Sequence, residues 1–479
     1  MAALMGSQVL ISVRPGRTRA ALVEGGTLIE LHIYDDHRPS LVGNIYLGRV
    51  EKVMKSLAAA FVDLGGGVSG FLAAAEARPP GQGATAEIST YVREGEAIIV
   101  QVQRDAYEDK APKLTARIAI SGRAMILTPG DPAVRLSRRL NDKAERTRLE
   151  TLAHDLARSD AGFVMRTAAQ GQAAQALDRE AQSLHRLWSG MGDRAKTGKA
   201  PLLLADVTDP VQQILRDVVP AGPGGQTRVI IDDPAALTRA RAWCATSAAD
   251  LADNLELYNG GGLLFDSIEE QLDDALSSAL ALPSGGSVLF AETPALVAMD
   301  VNVGKGRSVL DANLEAAALI ARQVRLRNLS GLLVVDFVST RNNKDQDKVL
   351  KALKRAVADD PANVFVGGFT RFGLLEMTRR RNRPTLSSLL LEPQSGPALN
   401  GLTAAHMALD RLAREAHANP ADHLSLRAGP AIITALEGPA RAALQSLNER
   451  FGRPFDIIAD PDLSTDGFYI FHDSRDFTS

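Results

Sequence analysis

The sequence predicts a multidomain α/β protein of the α+β type, in which a small β-barrel precedes a strand-and-helix domain. Five short strand-like runs separated by glycine turns fill residues 39–121, the last of them predicted over 114–120, and this pattern is typical of an OB-fold barrel. Residues 281–395 alternate apolar strands with helices, which indicates an α/β sheet. Because 479 residues are too many for one hydrophobic core, we expect three to five domains or subdomains.

The remaining segments are also mixed. Residues 8–34 read as a three-stranded meander with turns at Pro15-Gly16 and Gly25-Gly26. Residues 123–200 combine two helices with a strand, residues 201–280 combine strands with helices, and the C-terminal region resembles a small α/β appendage.

Composition narrows the class of protein. Hydrophobic residues at 45% and charged residues at 23% are ordinary for a globular protein. The single cysteine, Cys244, excludes an internal disulfide and a cysteine-based zinc site, and suits a reducing compartment. Residues 1–14 lack a signal-peptide pattern, and no apolar run approaches the ~20 residues that span a bilayer. We therefore expect a cytoplasmic protein without a membrane partner.

Charge is distributed unevenly along the chain. Residues 322–383 contain 14 Lys and Arg against 6 Asp and Glu, a local excess of +8 in a chain whose formal net charge is −3. The rest of the chain therefore sums to −11. A basic region of this kind indicates an anionic partner such as a nucleic-acid backbone.

Two aspartates follow buried-strand patterns in the second half of the chain. Residues 295–302 and 331–338 are short apolar runs interrupted by Asp300 and Asp336. A charged group inside such a strand is unfavourable unless it is paired or binds a metal, whereas at a strand end it can face a crevice. The two carboxylates are therefore candidates for a shared Mg²⁺ site, with Asn302 beside them. The alternative is that both only cap helices or turns.

Other residues near the pair are open to two interpretations. Asn313 is predicted to cap a helix over 314–327. Lys344, Lys348, Lys351 and Arg355 recur at helical spacing, either as a solvated face or as a phosphate-tracking stripe. The block from Arg379 to Arg383 places four like charges in five residues, which indicates a nearby anion.

Two further features indicate nucleic-acid contacts. Phe61 and Phe71 lie on the second and third predicted barrel strands, where aromatic side chains of OB-folds stack on bases, although both could equally be core residues. Arg166 and Thr167 close a predicted strand and could grip a terminal phosphate. A neighbouring Arg and Thr are by themselves a weak signal.

Seven strings together resemble the ribonuclease E/G family of endoribonucleases. They are NIYLGRV at 44–50, AFVDLG at 60–65, LPSGG at 282–286, DVN at 300–302, NLEAA at 313–317, QVRLR at 323–327 and RFGLLEM at 371–377. The resemblance extends from the first strands to about residue 390.

The resemblance implies a domain order. An RNase H-like domain in two parts, residues 1–38 and 201–280, would be interrupted by an S1 (OB-fold) domain over 39–121 and a 5′-sensor segment over 122–200. A DNase I-like catalytic subdomain over 281–395 and a small C-terminal domain over 396–479 would follow.

The resemblance also implies residue roles. Asp300 and Asp336 would be the Mg²⁺ ligands, and Asn302 would orient the scissile phosphate. A 5′-monophosphate would be bound by Arg166, Thr167 and Arg371. In the S1 domain the RNA contacts would be Phe61, Phe71, Arg104 and Lys110.

Departures from the family pattern bear on assembly and on the metal. The family's Cys-x-x-Cys zinc link would fall within residues 385–400, which contain no cysteine, so we expect no zinc and no zinc-linked tetramer. A homodimer through other surfaces is compatible with the sequence. Ser339 stands where the family commonly has another acid, which leaves two carboxylates at the site.

The sequence therefore predicts a Mg²⁺-dependent endoribonuclease that acts on single-stranded RNA in rRNA processing or mRNA decay. The resemblance implies a preference for 5′-monophosphorylated substrates. One alternative is a non-catalytic RNA-binding protein that retains the fold, and another is a metal-dependent phosphatase. A phosphatase would not need the barrel.

Overall fold

The computed structural model describes residues 6–35, 39–79, 87–106, 110–220, 227–260, 263–305, 308–340, 342–381, 383–391, 401–420, 422–464 and 467–473. The chain forms two compact units, Met1–Leu390 and Leu391–Ser479. Across these residues, no helix has the length and apolar character needed to cross a bilayer.

The first unit is a series of strands and helices. Its strands are β1 (Ser7–Arg14), β2 (Arg17–Glu24), β3 (Thr27–Asp35), β4 (Ile45–Met54), β5 (Ala59–Asp63), β6 (Ser69–Ala73), β7 (Ala97–Arg104), β8 (Lys113–Thr115), β9 (Ile120–Ser121), β10 (Met125–Pro129), β11 (Arg135–Leu136), β12 (Ala161–Met165), β13 (Leu202–Ala205), β14 (Arg228–Ile231), β15 (Leu255–Leu257), β16 (Ala279–Ala281), β17 (Gly286–Glu292), β18 (Val297–Val303), β19 (Gly331–Asp336), β20 (Val364–Phe369) and β21 (Leu374–Arg379). Its helices are α1 (Ala74–Ala77), α2 (Lys143–Leu156), α3 (Ala174–Thr197), α4 (Pro210–Asp217), α5 (Pro234–Ser247), α6 (Glu269–Leu276), α7 (Val309–Leu326), α8 (Asn343–Ala356) and α9 (Leu386–Leu390).

The first sheet has the strand order β15-β14-β1-β2-β3. Strands β1 to β3 form the predicted antiparallel meander, and β14 joins β1 in parallel. Helices α4 and α5 pack against this sheet, and each begins with a proline after an aspartate whose carboxylate accepts a backbone N–H. The sheet combines β1 to β3 with β14 and β15, so residues 39–220 form an insertion between its third and fourth strands along the chain.

The barrel consists of β4, β5, β6, β8 and β7, closed by pairing between β4 and β7. This confirms the OB-type barrel within a multidomain α/β fold. Gly48 permits the close packing of β4, because an added Cβ would lie 2.4 Å from the Cγ1 atom of Val62. Strand β13, which the domain division assigned to the segment from 201 to 280, pairs with β4 and extends the barrel sheet.

The second sheet has the order β11-β12-β10-β9 and packs against α2 and α3. The prediction of one strand over 114–120 is wrong, because β8 belongs to the barrel and β9 to this second sheet. The reason is local: the Gln101 side chain bonds both the N–H and the carbonyl of Ala119, and the Thr115 hydroxyl accepts the N–H of Arg117. These side chains replace the ladder bonds that a continuous strand would need.

The third sheet, called here the aspartate sheet, has the order β16-β17-β18-β19-β21-β20. One face packs on α7 and α8 through buried residues such as Met299, Ile320 and Leu333. Along β18 and β19 the alternate side chains point away from these helices and are mostly exposed. The sheet therefore has one covered face and one open face.

The second unit is a small α/β fold, as the sequence predicts. It comprises α10 (Gly401–Ala418), β22 (His423–Ala428), α11 (Pro430–Glu437), α12 (Arg441–Phe451), β23 (Asp456–Ala459) and β24 (Phe468–Asp473). The strand order is β23-β22-β24, and residues from α10, α11 and β22 form its core. Strand β22 and helix α11 are elements that the sequence interpretation missed.

A buried polar network connects the first sheet to α7. Glu30 on β3 accepts from Arg325 at 2.6 Å and contacts His32 Nε2 at 2.9 Å. The guanidinium of Arg383 lies 2.9 Å from His32 Nδ1 and donates to the Leu31 carbonyl. Since each charge has a partner, the network can remain buried between the two sheets.

Acidification should weaken the fold through His32. Burial, together with the positive charge of Arg383, lowers the pKa of His32 to about 4, whereas an unfolded histidine titrates near ~6.5. The unfolded state therefore binds more protons between these values, so stability falls as the pH falls through this window. At a pH of ~5 the loss from this group is about 2 kcal/mol.

The measurement is denaturant unfolding of the wild type and His32→Gln between about pH 7 and about pH 5. The variant should lose less unfolding free energy than the wild type over this range. The control is His154→Gln, at an exposed position on α2, whose unfolding free energy should change with pH as that of the wild type does. Equal slopes for wild type and His32→Gln would show that His32 does not carry the effect.

Candidate functional site

Asp300 and Asp336 lie side by side on the open face of the aspartate sheet. Strands β18 and β19 are parallel neighbours, and their register places Asp300 directly opposite Asp336. Both side chains are exposed, whereas Met299, Val301 and Val335 beside them are buried. Adjacent strands lie about 4.8 Å apart, so the two carboxylates can reach one ion.

Asn302 completes the site from the same strand. Its side chain donates from Nδ2 to Asp300 Oδ2 at 2.9 Å, which orients the carboxylate and leaves its second oxygen available. A groove of about 320 Å³ is lined by residues 300–303 and 336–339, the ends of the two strands. Ser339 is exposed at its border.

Asn313 has a different role from the one predicted. Helix α7 begins at Val309, and the hydroxyl of Ser308 caps it by accepting the N–H of Asp311. Asn313 lies buried inside the helix, where it donates to the Val338 carbonyl at 2.8 Å and accepts the Val338 N–H at 3.1 Å. The prediction of an N-cap at this residue is wrong, and Asn313 instead fixes the chain two residues after Asp336.

The donor set fits a hard cation held by few protein ligands. Within the described residues, no group of three or more His, Cys, Asp or Glu is arranged to hold a metal ion. Mg²⁺ commonly uses one or two carboxylates and completes its shell with water and substrate oxygens. An exposed pair of carboxylates in an open groove suits that ion better than the closed four-ligand shell of structural zinc.

Glu376 is an acid near the site that the sequence interpretation did not single out. It lies exposed on β21, opposite Val334, while Asp336 is opposite Leu374. Diagonal neighbours in an antiparallel pair are about 7–8 Å apart, so Glu376 is close to Asp336 on the open face. No spacing signal reveals it, because strand order rather than sequence brings the two together.

The basic residues around the site divide into buried and exposed groups. Arg379 is buried and bonds Asp360 at 2.8 Å, and Arg383 belongs to the network around His32. The interpretation of residues 379–383 as a cluster awaiting an anion is therefore wrong for these two. Five cations on α8 are exposed: the four predicted ones, Lys344, Lys348, Lys351 and Arg355, and also Lys354.

Arg166 and Thr167 lie together at the end of β12. Arg166 donates to the Gly122 carbonyl at 2.8 Å and to Asp217 at 2.9 Å, while the Thr167 hydroxyl lies 3.2 Å from that of Ser137. These contacts hold the guanidinium in a defined position with part of its donor edge accessible.

The loop that contains Gly122, whose carbonyl accepts from Arg166, is held by Glu180 of α3. The buried carboxylate of Glu180 accepts the Ala124 N–H at 2.9 Å and lies so close to Gly122 that a Cβ there would be 2.1 Å from Oε1. Burial raises the pKa of Glu180 to about 7, against the effect of the backbone N–H groups that favour its ionised form. The position of Arg166 therefore depends on a buried acid.

Among the described residues, no hydrogen bond joins Arg371 to Arg166 or Thr167. Arg371 lies exposed in the turn between β20 and β21, next to the end of β19 that carries Asp336. At the opposite end of this hairpin, Arg139, which lies between β11 and α2, donates to the Asp360 carbonyl. Six-residue strands separate the two ends by roughly 17 Å.

The barrel carries a row of aromatic and basic side chains. Phe61 is opposite Phe71, Phe71 is opposite Lys113, and Lys113 is opposite Arg104 across four strands. The phenylalanine rings are 5.8 Å apart in an edge-to-face arrangement and half-buried, so neither is a fully buried core residue. Lys110 is exposed just before β8, and Lys113 is a basic residue that sequence reasoning missed.

Comparisons with known proteins identify the class to which this chain belongs. The sequence pattern of the ribonuclease E/G family matches residues 119–382. The chain is 30% identical to ribonuclease G of Escherichia coli (strain K12), over 97% of this chain and 99% of that protein. The chain belongs to the ribonuclease E/G family.

Two further relatives are consistent with this family. Ribonuclease G of Salmonella typhimurium (strain SL1344) is also 30% identical over 97% of this chain and 99% of that protein. Ribonuclease E of Escherichia coli (strain K12) is 34% identical over 77% of this chain but only 36% of its own length. The similarity to ribonuclease G therefore spans both units, and the similarity to ribonuclease E covers a smaller part.

Replacement of Asn313 should destabilise the protein. Asn313→Ala removes two hydrogen bonds and leaves the Val338 backbone groups without those partners. The unfolding free energy should fall by about 1–3 kcal/mol. Asn302→Ala is the matched control, since it removes one exposed bond to Asp300 and should change stability by less than about 0.5 kcal/mol. Denaturant unfolding compares them, and equal losses would show that Asn313 does not fasten the strand end.

Proposed function

We propose that this protein is an endoribonuclease that cleaves single-stranded RNA with Mg²⁺ as its metal ion. One observation carries the proposal: parallel strands place Asp300 opposite Asp336 at an accessible strand end. Family membership supports the activity, since the relatives are ribonucleases by name. The barrel supports a single-stranded substrate, because its aromatic row offers surfaces for unpaired bases.

The proposed chemistry assigns a task to each residue. Asp300 and Asp336 would hold Mg²⁺, which when bound supplies an activated water and neutralises charge on the phosphodiester. Asn302 orients Asp300 and can donate to a phosphate oxygen, while Asn313 holds the strand end in place. Attack of water on phosphorus, with departure of the 3′ oxygen, leaves a 5′-phosphate and a 3′-hydroxyl.

We further propose that Arg166 and Thr167 bind a 5′-monophosphate. The support is geometric, because Arg166 is held by Gly122 and Asp217 and lies next to the Thr167 hydroxyl. Arg371, exposed in the turn between β20 and β21, is the third residue proposed for the 5′-monophosphate. The absence of zinc and the possible homodimer stay predictions.

The carboxylate pair is tested by Asp300→Asn and Asp336→Asn. Each variant should lose Mg²⁺-dependent cleavage while RNA binding is largely kept, because the amide is a neutral and poorer ligand for a hard cation. The assay follows an end-labelled oligoribonucleotide with Mg²⁺ and then with EDTA. Asp347→Asn, at an exposed acid of α8, should cleave as the wild type does.

Near wild-type cleavage by either variant at saturating Mg²⁺ would refute the shared metal site. Undiminished RNA binding by a wild type that does not cleave would favour the non-catalytic RNA-binding protein instead.

Arg166 should confer preference for a 5′-monophosphate. A charge-assisted bond contributes roughly 1.5–3 kcal/mol, so Arg166→Ala should lose roughly ten- to a hundred-fold in kcat/KM on monophosphorylated RNA. On 5′-hydroxyl RNA the variant and the wild type should be equal, since the phosphate is missing. Arg186→Ala, at an exposed arginine of α3, is the matched control, and an equal loss on both substrates would mean that Arg166 is structural.

The aromatic pair should contribute to RNA affinity. Phe61→Ala with Phe71→Ala should weaken binding, since stacking contributes roughly 1–3 kcal/mol per base. Fluorescence anisotropy with an oligoribonucleotide measures the affinity, and thermal unfolding serves as the control. A large fall in Tm would indicate a packing role, and an unchanged affinity at normal stability would exclude stacking.

A further inference from the structure

A basic cavity lies where the barrel meets the second sheet, apart from the aspartate groove. Its volume is about 260 Å³. The lining residues are Arg78, Arg117, Ile118, Ala119, Thr128, Pro129, Asp131 and Arg135. Arg78 follows α1 and Arg117 follows β8, while Arg135 lies on β11 of the second sheet. Two separate sheets therefore contribute guanidinium groups to one cavity.

The charges in this cavity are not balanced by its own residues. Three arginines face one lining carboxylate, that of Asp131, which contacts Arg135 at 2.8 Å. Arg117 donates from Nε to the Arg78 carbonyl and from Nη2 to the Ala75 carbonyl, so its position is fixed by the barrel backbone. The Nε atom of Arg78 is shielded from solvent and has no hydrogen-bond partner in the described part of the chain. A net charge of about +2 with an unused donor favours a bound anion.

The cavity is close to the aromatic row of the barrel. Arg117 comes four residues after Lys113, which is opposite Phe71, so the chain separates them by at most roughly 13 Å. OB-folds bind roughly 4–16 nucleotides, and a strand stacked on Phe61 and Phe71 can therefore continue to the cavity. The groups that such a strand presents at every nucleotide are phosphodiesters.

We propose that this cavity binds a backbone phosphate of RNA held on the barrel. The inference rests on the proposed function in one respect, namely that the chain binds single-stranded RNA. The contact is separate from the carboxylate pair and from Arg166. Arg78 and Arg135 donate to the phosphate, Arg117 supplies positive charge from a fixed position, and Asp131 competes with the phosphate for Arg135.

The competition by Asp131 allows a test with effects of opposite sign. Arg78→Gln combined with Arg135→Gln removes two donors and should weaken oligoribonucleotide binding about tenfold or more. The slope of log affinity against log salt should become shallower by about 0.7, the change for one phosphate of a single strand. Asp131→Asn should tighten binding several-fold, because the amide keeps the oxygen that accepts the Ala133 N–H and releases Arg135.

The measurement is fluorescence anisotropy on the full chain carrying Asp300→Asn, titrated at several salt concentrations. Arg239→Gln, at an exposed arginine of α5, is the matched control and should leave affinity unchanged. Arg135→Lys keeps the charge and should keep most of the salt slope. Thermal unfolding of each variant reports folding, and all should unfold near the temperature of the parent.

The outcomes separate this inference from the proposed nuclease. Failure of the parent to bind RNA would contradict the proposed function, whereas normal binding by the parent and by the double arginine variant would overturn only the cavity assignment. Weaker binding with a lower Tm in both the arginine and the Asp131 variants would show that the cluster is structural.

A free phosphate is the remaining source of the same chemistry. Calorimetry with inorganic phosphate and with adenosine 5′-monophosphate tests it. If the double arginine variant loses the heat of phosphate binding but keeps the RNA affinity of the parent, the cavity binds a small phosphate ligand and the RNA assignment is overturned.

Discussion

The parallel pairing of β18 and β19 is the constraint on which the proposed site depends. Helix α7 carries the chain from the end of one strand to the start of the other, so both strands run in the same direction and end near the same edge. Only this register puts Asp300 opposite Asp336, because a slip of one residue would turn one carboxylate into the core. Asn313, within the connecting helix, bonds the segment that follows β19 and thereby links the crossover to the site.

The residues proposed to bind RNA and those proposed to cleave it lie on different parts of the first unit. The aromatic row lies on the barrel, Arg166 lies at the end of β12, and the carboxylates lie on the aspartate sheet. The buried ion pair of Glu30 with Arg325 joins the first sheet to α7, and Arg139 donates a side-chain hydrogen bond to the backbone carbonyl of Asp360 before β20. Such pairs need every partner in place, so they favour one arrangement of the sheets over alternatives.

Local patterns predicted the features that local chemistry determines. The meander, the barrel and the two strand-end aspartates were predicted because alternation, turn residues and apolar runs reflect backbone geometry. Asn313 was misassigned because asparagine is a common N-cap, whereas its partner Val338 is distant in sequence and visible only after folding. Arg379 was misread for the same reason, since its buried partner Asp360 comes from a preceding loop. Arg166 and Thr167 gave only a weak local signal, and the family resemblance supplied the role proposed for them.

The shared metal site is the central claim, and Mn²⁺ provides its most direct test because it can replace Mg²⁺ and scatters X-rays anomalously. Crystals of the full chain soaked in Mn²⁺ should show one anomalous peak between Asp300 and Asp336, within about 2.0–2.3 Å of an oxygen from each carboxylate. The peak should disappear in Asp336→Asn. A Mn²⁺ ion bound elsewhere, or a peak at this position that persists without the Asp336 carboxylate, would contradict the account.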